Sequence, residues 1–167
     1  MHQISIRKLN PEDVSCVYEL LKNLVREEGT DKSFILTIDK MQQYIFGKYA
    51  DWNCVVAVMG KNEIIGFCLY SFANTNRAFN DTPLIQIDDI YVRPEYRGLK
   101  AGQKLIQEVT HIAKNNNITR IELWCMKDNL SASKFYNKFN VEKLEFLEVL
   151  RLKVDKVLSH VKLNDYR

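Results

Sequence analysis

Hydrophobic positions in the first 50 residues follow a strand period and then a helical one. Residues 4–9 (ISIRKL) alternate between apolar and polar side chains, which predicts a strand with one buried face. Apolar side chains then recur three and four residues apart, as on one helix face, at Val14, Val17, Leu20, Leu21 and Leu24. Asn10 and Pro11 suit the start of this helix, and Gly29 suits its end. Residues 37–46 (TIDKMQQYIF) predict a second, shorter helix.

The middle of the chain is richer in β-branched and apolar residues. Residues 53–59 (NCVVAVM) and 64–72 (IIGFCLYSF) flank the short turn GKNE, which is the pattern of an antiparallel hairpin. Residues 84–92 (LIQIDDIYV) predict another strand, which ends before Pro94. A long helix is expected over residues 100–116, because their apolar side chains share one face.

The last 50 residues return to short elements. Residues 118–126 (ITRIELWCM) predict a strand, residues 129–139 (NLSASKFYNKF) a helix, and residues 145–154 (EFLEVLRLKV) a final strand before a charged helix. This order indicates an α/β domain with a mixed sheet, which is parallel where the long helix crosses over. No stretch rich in Pro, Gly or Ser divides the chain, so we expect a single domain over residues 1–167.

Composition and charge narrow the class of protein. The chain of 167 residues is 46% hydrophobic and 27% charged, which is typical of a soluble globular protein. Its net charge of +3 is small and its basic residues are scattered, which argues against nucleic-acid binding. The four cysteines and three histidines show no metal-ligand spacing, so we expect free, mostly buried thiols and no metal. Without an apolar signal core or a run long enough to span a membrane, a cytoplasmic protein is expected.

The loop before the long helix carries the candidate binding chemistry. Residues 92–102 (VRPEYRGLKAG) place two glycines and two basic side chains at a helix start, namely Arg97, Gly98, Lys100 and Gly102. Backbone N–H groups there have no intrahelical partner, and with the helix dipole they bind anions. Arg97 and Lys100 would add charge-assisted hydrogen bonds. A phosphate site and ordinary loop geometry are both compatible with this pattern.

This loop makes the chain similar to a known family. Residues 87–109 (IDDIYVRPEYRGLKAGQKLIQEV) resemble the central motif of the GNAT superfamily of N-acetyltransferases. In that motif an Arg/Gln-x-x-Gly-x-Gly/Ala loop holds the pyrophosphate of acetyl-CoA. Arg97 is the first position of the loop and Gly102 the last, while Lys100 stands where the middle glycine is expected. The loop must therefore accept a side chain at that position.

A second motif strengthens the resemblance. Residues 128–141 (DNLSASKFYNKFNV) are similar to the GNAT segment Asn-x-x-Ala-x-x-Phe-Tyr-x-x-x-Gly, with Asn140 in place of the glycine. Asn also tolerates the left-handed conformation. Within the superfamily the chain most resembles the diamine, or spermidine/spermine, acetyltransferases. That likeness rests on the helix LTIDKM after an acidic turn, on Asp88 and Asp89 before IYV, and on the FY helix before LRL.

The resemblance implies a GNAT-like fold and a cosubstrate. The fold is a mixed, mostly antiparallel sheet with helices on both faces and a parallel crossover at the acetyl-CoA site. A bulge in the central strand would expose backbone groups of Ile90 and Val92 to the pantetheine arm and the thioester. The residues implied in binding acetyl-CoA are Ile90, Tyr91, Val92, Arg97, Gly98, Leu99, Lys100, Ala101, Gly102, Asn129 and Tyr136.

Acetyl transfer to an amine requires a base for the ammonium proton and an acid for the departing thiolate. By resemblance Tyr136 is the acid, since a phenol pKa of about 10 lies near that of a thiol at about 8.5; a packed core tyrosine is the alternative. Asp88, near the end of the central strand, is the candidate base, and strand alternation would put Asp89 on the opposite face. Glu28 lies in an acidic turn that would attract a cationic substrate, although an exposed helix end has the same composition.

The sequence thus predicts an acetyl-CoA-dependent N-acetyltransferase that acts on the primary amine of a small polyamine or diamine. A lysine-like amino acid is the second candidate acceptor, and protein acetylation is a further one. A non-catalytic acyl-CoA-binding module is the alternative outside enzymes. Enzymes of this likeness that act on small molecules are commonly homodimers, so we expect a homodimer by analogy.

Overall fold

The structure is a computed structural model that describes residues 3–74 and 83–160. Contacts between Cα atoms divide the chain into two compact units, Met1–Trp124 and Cys125–Arg167. We describe each unit by itself, and the single domain over residues 1–167 stays a prediction. Within the described ranges, no helix combines the length and the apolar composition needed to cross a membrane.

The first unit is built on a five-stranded sheet in which neighbouring strands follow chain order. Its strands are β1 (Ile4–Lys8), β2 (Trp52–Met59), β3 (Glu63–Ala73), β4 (Leu84–Val92) and β5 (Ile121–Leu123). The pairs from β1 to β4 are antiparallel, and β4 pairs with β5 in parallel. The predicted mixed, mostly antiparallel sheet with one parallel crossover is therefore confirmed.

The described residues of the first unit form three α-helices: α1 (Val14–Glu27), α2 (Ile38–Phe46) and α3 (Ala101–Asn115). Local signals set their ends. Asn10 and Asp13 form a capping box before α1, and Gly29 follows α1 with a φ of 67°. The Thr37 hydroxyl accepts a 3.3 Å hydrogen bond from the Lys40 N–H at the start of α2.

Two apolar clusters cover the two faces of the sheet. On one face α3 contributes Leu105 and Val109, which pack with strand residues that include Val55 and Ile65. On the other face Val17 and Leu20 of α1 and Met41 of α2 pack with strand residues that include Val56, Phe67 and Leu69. Helices therefore lie on both faces, as predicted. Cys54 and Cys68 are buried free thiols, and burial raises the pKa of both.

The second unit contains α4 (Leu130–Tyr136) and α5 (Val154–His160). The final strand predicted over residues 145–154 is wrong, since that segment has no strand structure up to the start of α5. Its apolar side chains are exposed instead, for example Phe146 at 78% and Leu150 at 83%. A strand requires a neighbouring edge that accepts and donates its hydrogen bonds, and an apolar sequence pattern does not supply that edge.

Candidate active site

The central strand β4 is interrupted by a bulge at two aspartates. Leu69 of β3 is paired with Asp89, but the next residue, Tyr70, is paired with Ile87. Asp88 is therefore the extra residue on β4. Bulges of this kind bend a strand and redirect its side chains, and they are frequent beside active sites.

The bulge changes which face the aspartates occupy. Ile87 and Ile90 both pack in the cluster on the α3 face, although strict alternation would place them on opposite faces. The two residues between them, Asp88 and Asp89, are therefore both displaced from that face. Tyr91 follows in the cluster on the α1 face. The prediction that Asp89 lies opposite Asp88 is wrong, because alternation does not hold across a bulge.

Burial and neighbouring carboxylates keep the aspartates from ionising in their usual range. The pKa of Asp89 is raised from 3.8 to about 6. Burial is the largest cause, and the negative charges of Asp88 and Glu28 add to it. Burial and the charge of Asp51 raise the pKa of Asp88, while a hydrogen bond from the Ser71 hydroxyl lowers it. Burial, with the charge of Glu27, also raises the pKa of Glu28. The pKa of Asp89 is shifted more strongly than that of Asp88, although the sequence indicated Asp88 as the base.

Aromatic side chains lie one strand beyond Ser71, which is a neighbour of Asp88 on β3. Ser71, whose hydroxyl bonds to Asp88, is paired across the sheet with Trp52. The Trp52 ring meets Tyr44 of α2 edge to face, with centroids 5.4 Å apart. Asp51 precedes Trp52, and its N–H donates to the Tyr44 carbonyl. Carboxylates combined with aromatic faces are the groups that bind organic cations.

The backbone of β4 beyond the bulge has an open edge. Among the described residues, β5 is paired with β4 only at Ile85, Gln86 and Ile87. On the β3 side the Arg93 N–H donates to the Ile65 carbonyl at 2.9 Å. Because hydrogen-bonding direction alternates along a strand, the backbone groups of Ile90 and Val92 face the open edge. These are the two residues predicted to contact the pantetheine arm.

The loop from β4 to α3 has the backbone geometry of an anion site. Gly98 has a φ of 83°, and Lys100 adopts the left-handed conformation with a φ of 67°. The first helical hydrogen bond runs from the Lys104 N–H to the Lys100 carbonyl. The N–H groups of residues 101–103 come before it and therefore have no acceptor within the helix. Among the described residues, no side chain caps this helix start. The residues present therefore fit a pyrophosphate.

The loop side chains differ in their surroundings. Leu99 is 52% exposed, whereas Ala101 is buried under the first turn of α3. Lys100 is also exposed. A non-glycine residue in the left-handed region is strained by about 1–2 kcal/mol, and Lys100 stands at the position where the resemblance expects a glycine. The strained φ of Lys100 explains why glycine suits that position.

Arg97 is not an isolated cation. Its Nε donates to the Val92 carbonyl at 2.9 Å, and its Nη2 donates to Glu27 Oε2 at 2.6 Å. The guanidinium lies 5.4 Å from the centre of the Tyr91 ring, and the Tyr91 hydroxyl donates to Glu27 Oε1 at 2.7 Å. Sequence reasoning missed the pair because Glu27 and Arg97 are 70 residues apart. No local pattern links them.

The second motif lies in the second unit. The Asn129 side chain accepts a 2.9 Å hydrogen bond from the Ala132 N–H and caps α4. The Tyr136 ring is half-buried and meets Phe135 edge to face at 5.2 Å. Asn140 has a φ of 54°, the left-handed conformation expected where the motif has glycine.

Comparison with known proteins places these motifs in context. Residues 16–140 match the model of the Acetyltransferase (GNAT) family. The chain is 26% identical to a thialysine N-epsilon-acetyltransferase of Bos taurus, over 84% of this chain and 85% of that protein. An aminoglycoside acetyltransferase from an uncultured soil metagenomic sample, in complex with trehalose, has a TM-score of 0.72 at 18% identity, over 90% of this chain and 97% of that one. An aminoglycoside N-acetyltransferase in complex with CoA has a TM-score of 0.73 at 16% identity, over 92% of this chain and 97% of that one.

Proposed function

The chain belongs to the GNAT family of acetyltransferases and is an acetyl-CoA-dependent N-acetyltransferase, and we propose that its acceptor is the primary amine of a small polyamine or diamine. The observation that carries the proposal is the carboxylate pair at the β4 bulge. Asp88 and Asp89 are close enough to raise the pKa of Asp89, and Glu28 adds to the same negative potential. Within residues 3–74 and 83–160, neither aspartate forms an ion pair. A cationic acceptor would supply the missing charge.

Acetyl-CoA supplies the acetyl group as a thioester. In our proposal, the N–H groups at the start of α3 and the side chains of Arg97 and Lys100 hold its pyrophosphate. The open edge of β4 pairs with the pantetheine arm, as an added strand would, through the backbone groups of Ile90 and the N–H of Val92. The Val92 carbonyl already accepts from Arg97 Nε. The short pairing with β5 supports this assignment, because among the described residues it ends at Ile87 and leaves the backbone donors of Ile90 and Val92 without a partner strand.

Proton transfer is assigned to three side chains. The carboxylate pair is the base that takes the proton from the ammonium group, and Asp89 leads because its pKa of about 6 lies nearest to neutral pH. Asp88, the base expected from sequence, raises that pKa and adds to the attraction for the cation. Tyr136 is proposed as the acid that gives a proton to the thiolate, on the strength of the second motif.

Two acceptors are favoured by separate observations. The aromatic pair of Tyr44 and Trp52 beside Asp51 suits an extended molecule with a second cationic group, such as a diamine. The similarity to a thialysine N-epsilon-acetyltransferase favours instead a lysine-like amino acid. Both candidates present a primary amine on an unbranched carbon chain to the same carboxylates.

A homodimer is part of the proposal. Large apolar side chains are exposed between residues 146 and 154, among them Phe146, Val149, Leu150, Leu152 and Val154. Exposed apolar surface of this density is typical of a segment that is covered in an assembly. Light scattering coupled to gel filtration is expected to give twice the chain mass of 19.6 kDa. A monomer at micromolar concentration would contradict this part of the proposal.

A thiol-release assay with acetyl-CoA tests the acceptor class. The panel contains spermidine, spermine, short diamines, lysine and its analogues, aminoglycosides and peptides. We expect the highest kcat/KM with a diamine or polyamine. A preference for lysine analogues would select the second candidate, and a preference for peptides would select protein acetylation. No turnover together with tight binding of acetyl-CoA would favour the non-catalytic module.

Tyr136→Phe tests the acid. Removal of the hydroxyl is expected to lower kcat by about 10²–10⁴, the usual contribution of general acid catalysis. Affinity for acetyl-CoA, measured by calorimetry, should change little. Tyr18→Phe is a control, since its hydroxyl donates to the Leu36 carbonyl in the first unit. Unchanged turnover of Tyr136→Phe would remove Tyr136 from the acid role.

A further inference from the structure

Glu27, the last residue of α1, contacts two groups that follow much later in the chain. Its Oε1 accepts a hydrogen bond from the hydroxyl of Tyr91, 64 residues away. Its Oε2 accepts a hydrogen bond from Nη2 of Arg97, 70 residues away. Tyr91 is 5% exposed and packs in the cluster on the α1 face, so it is a rigid support for the carboxylate. One carboxylate thus joins α1 to both β4 and the loop that follows it.

These contacts hold Arg97 from three sides. The Val92 carbonyl accepts from Nε, Glu27 accepts from Nη2, and the ring of Tyr91 lies against the guanidinium. Among the described residues, these hydrogen bonds occupy two of the five N–H groups of the guanidinium, so three remain for a ligand. The Arg97 side chain is 47% exposed, which leaves it accessible to one.

Glu27 acts on anion binding in two opposed ways. Its negative charge weakens the attraction of Arg97 for a phosphate. Its hydrogen bond immobilises a long side chain before the ligand arrives, so less rotamer freedom is lost on binding. Because both side chains are 40% or more exposed, solvent and salt screen the charge effect. The immobilising effect should therefore dominate.

We propose that Glu27 is a positioning residue for the phosphate end of acetyl-CoA, which it serves by holding the loop residue Arg97 against the end of β4. Glu27 then has a different role from its neighbour Glu28, whose charge acts on Asp89. Glu28 lies in the acidic turn that the sequence associates with the amine, and Glu27 directly precedes it. The inference rests on the proposed cofactor loop, because it requires the residues from Arg97 to Gly102 to bind CoA.

Calorimetric titration of the full chain with CoA tests this role without any acceptor amine. Glu27→Ala removes the support of Arg97 and is expected to weaken CoA binding about threefold to tenfold. Glu27→Gln keeps the shape and one acceptor oxygen for Nη2 of Arg97, while its NH2 group can donate to the Tyr91 oxygen, and it should restore affinity to within about twofold of the wild type. Glu19→Ala is the matched control, because Glu19 is exposed on the same helix and pairs with Lys22. It should bind CoA like the wild type.

Kinetics with two acetyl donors separate positioning from general damage. S-acetylpantetheine carries the reacting thioester but lacks the phosphates and the nucleotide. Glu27→Ala should raise KM for acetyl-CoA, leave kcat unchanged, and leave KM for S-acetylpantetheine unchanged. An equal rise of both KM values would mean that the change only disturbs the fold, and the proposal would be overturned.

Two further outcomes decide between Glu27 as support and Glu27 as competitor. Tyr91→Phe removes the hydroxyl that orients the carboxylate but keeps the ring, and is expected to weaken CoA binding about twofold. Tighter CoA binding by Glu27→Gln or Glu27→Ala would show that the carboxylate competes with the phosphate, against the proposal.

If the wild type binds CoA and Glu27→Ala binds it equally, only this inference fails. If the wild type binds no CoA, the proposed function fails with it.

Discussion

The two segments that flank Tyr91 differ in how their charges are compensated. We call Asp88 and Asp89 the acidic segment, and residues 93–102 the basic loop. In the basic loop Arg93 pairs with Glu63 at 3.4 Å and Arg97 with Glu27 at 2.6 Å. Within the described ranges, the acidic segment forms no ion pair, and the pKa of Asp89 rises to about 6.

The difference shows two ways of preparing a binding site. In the acidic segment, like charges are held together and partly buried, which costs stability until a cation or a proton arrives. In the basic loop, a protein carboxylate already holds the cation in place, so the side chain is ordered before an anion binds. The acidic segment therefore has a raised affinity for protons and cations. The basic loop holds a cationic side chain in a fixed position for an anion.

Neutralising the acidic segment should have the largest effect. Asp89→Asn keeps the size of the side chain but removes the base, and it is expected to lower kcat/KM by about 10²–10³. Asp88→Asn should lower it only about tenfold, because it removes an attractive charge and not the main proton acceptor. Steady-state rates of both variants with the best amine of the panel measure this. The reverse order would return the role of base to Asp88.

The same segment should limit stability at neutral pH. The folded-state pKa of Asp89 is raised from 3.8 to about 6, so its favourable contribution is present below pH 4 and is lost as the pH rises through about 6. Asp89→Asn should therefore raise the free energy of unfolding at pH 8 by up to about 3 kcal/mol. The gain should vanish near pH 3. Urea unfolding at both pH values measures it, and a variant less stable than the wild type at pH 8 would contradict the assigned pKa.

The pH dependence of the rate sharpens the comparison further. With Asp89 as base, kcat/KM is expected to rise with pH through about 6. Asp88→Asn removes the neighbouring negative charge and should move this midpoint down by up to about one pH unit. Glu27→Gln, in contact with the basic loop, should leave the midpoint in place. A profile that is flat between pH 5 and pH 7 would exclude Asp89 as the base.

Backbone strain in the basic loop should give the smallest effect. Lys100 has a φ of 67°, so Lys100→Gly is expected to stabilise the fold by about 1 kcal/mol. Gly98 has a φ of 83° and open space where the Cβ of an alanine would lie, so Gly98→Ala should destabilise it by about the same amount through backbone strain alone. Thermal unfolding compares the two variants. Equal signs would show that φ does not decide their stability.

Most elements follow from local signals in the sequence. The capping box of Asn10 and Asp13, the left-handed Gly29, and the Thr37 cap each lie within a few residues of the helix end that they set. The apolar runs of β2 to β4 are equally local. Residues 145–154 have a similar apolar pattern without forming a strand, because strand formation depends on a partner elsewhere in the assembly or chain.

The sequence by itself determined the order of the elements from β1 to α4, because short-range periodicity encodes them. Its two motifs indicated acetyl-CoA-dependent chemistry through their resemblance to the GNAT family. Only the tertiary structure decided that strand alternation fails at Asp88 and Asp89, because the bulge is defined by the register of β4 against β3. It alone also joined Glu27 to Arg97. Both features arise where segments distant in the chain meet, and the pattern within either segment contains no information about that contact.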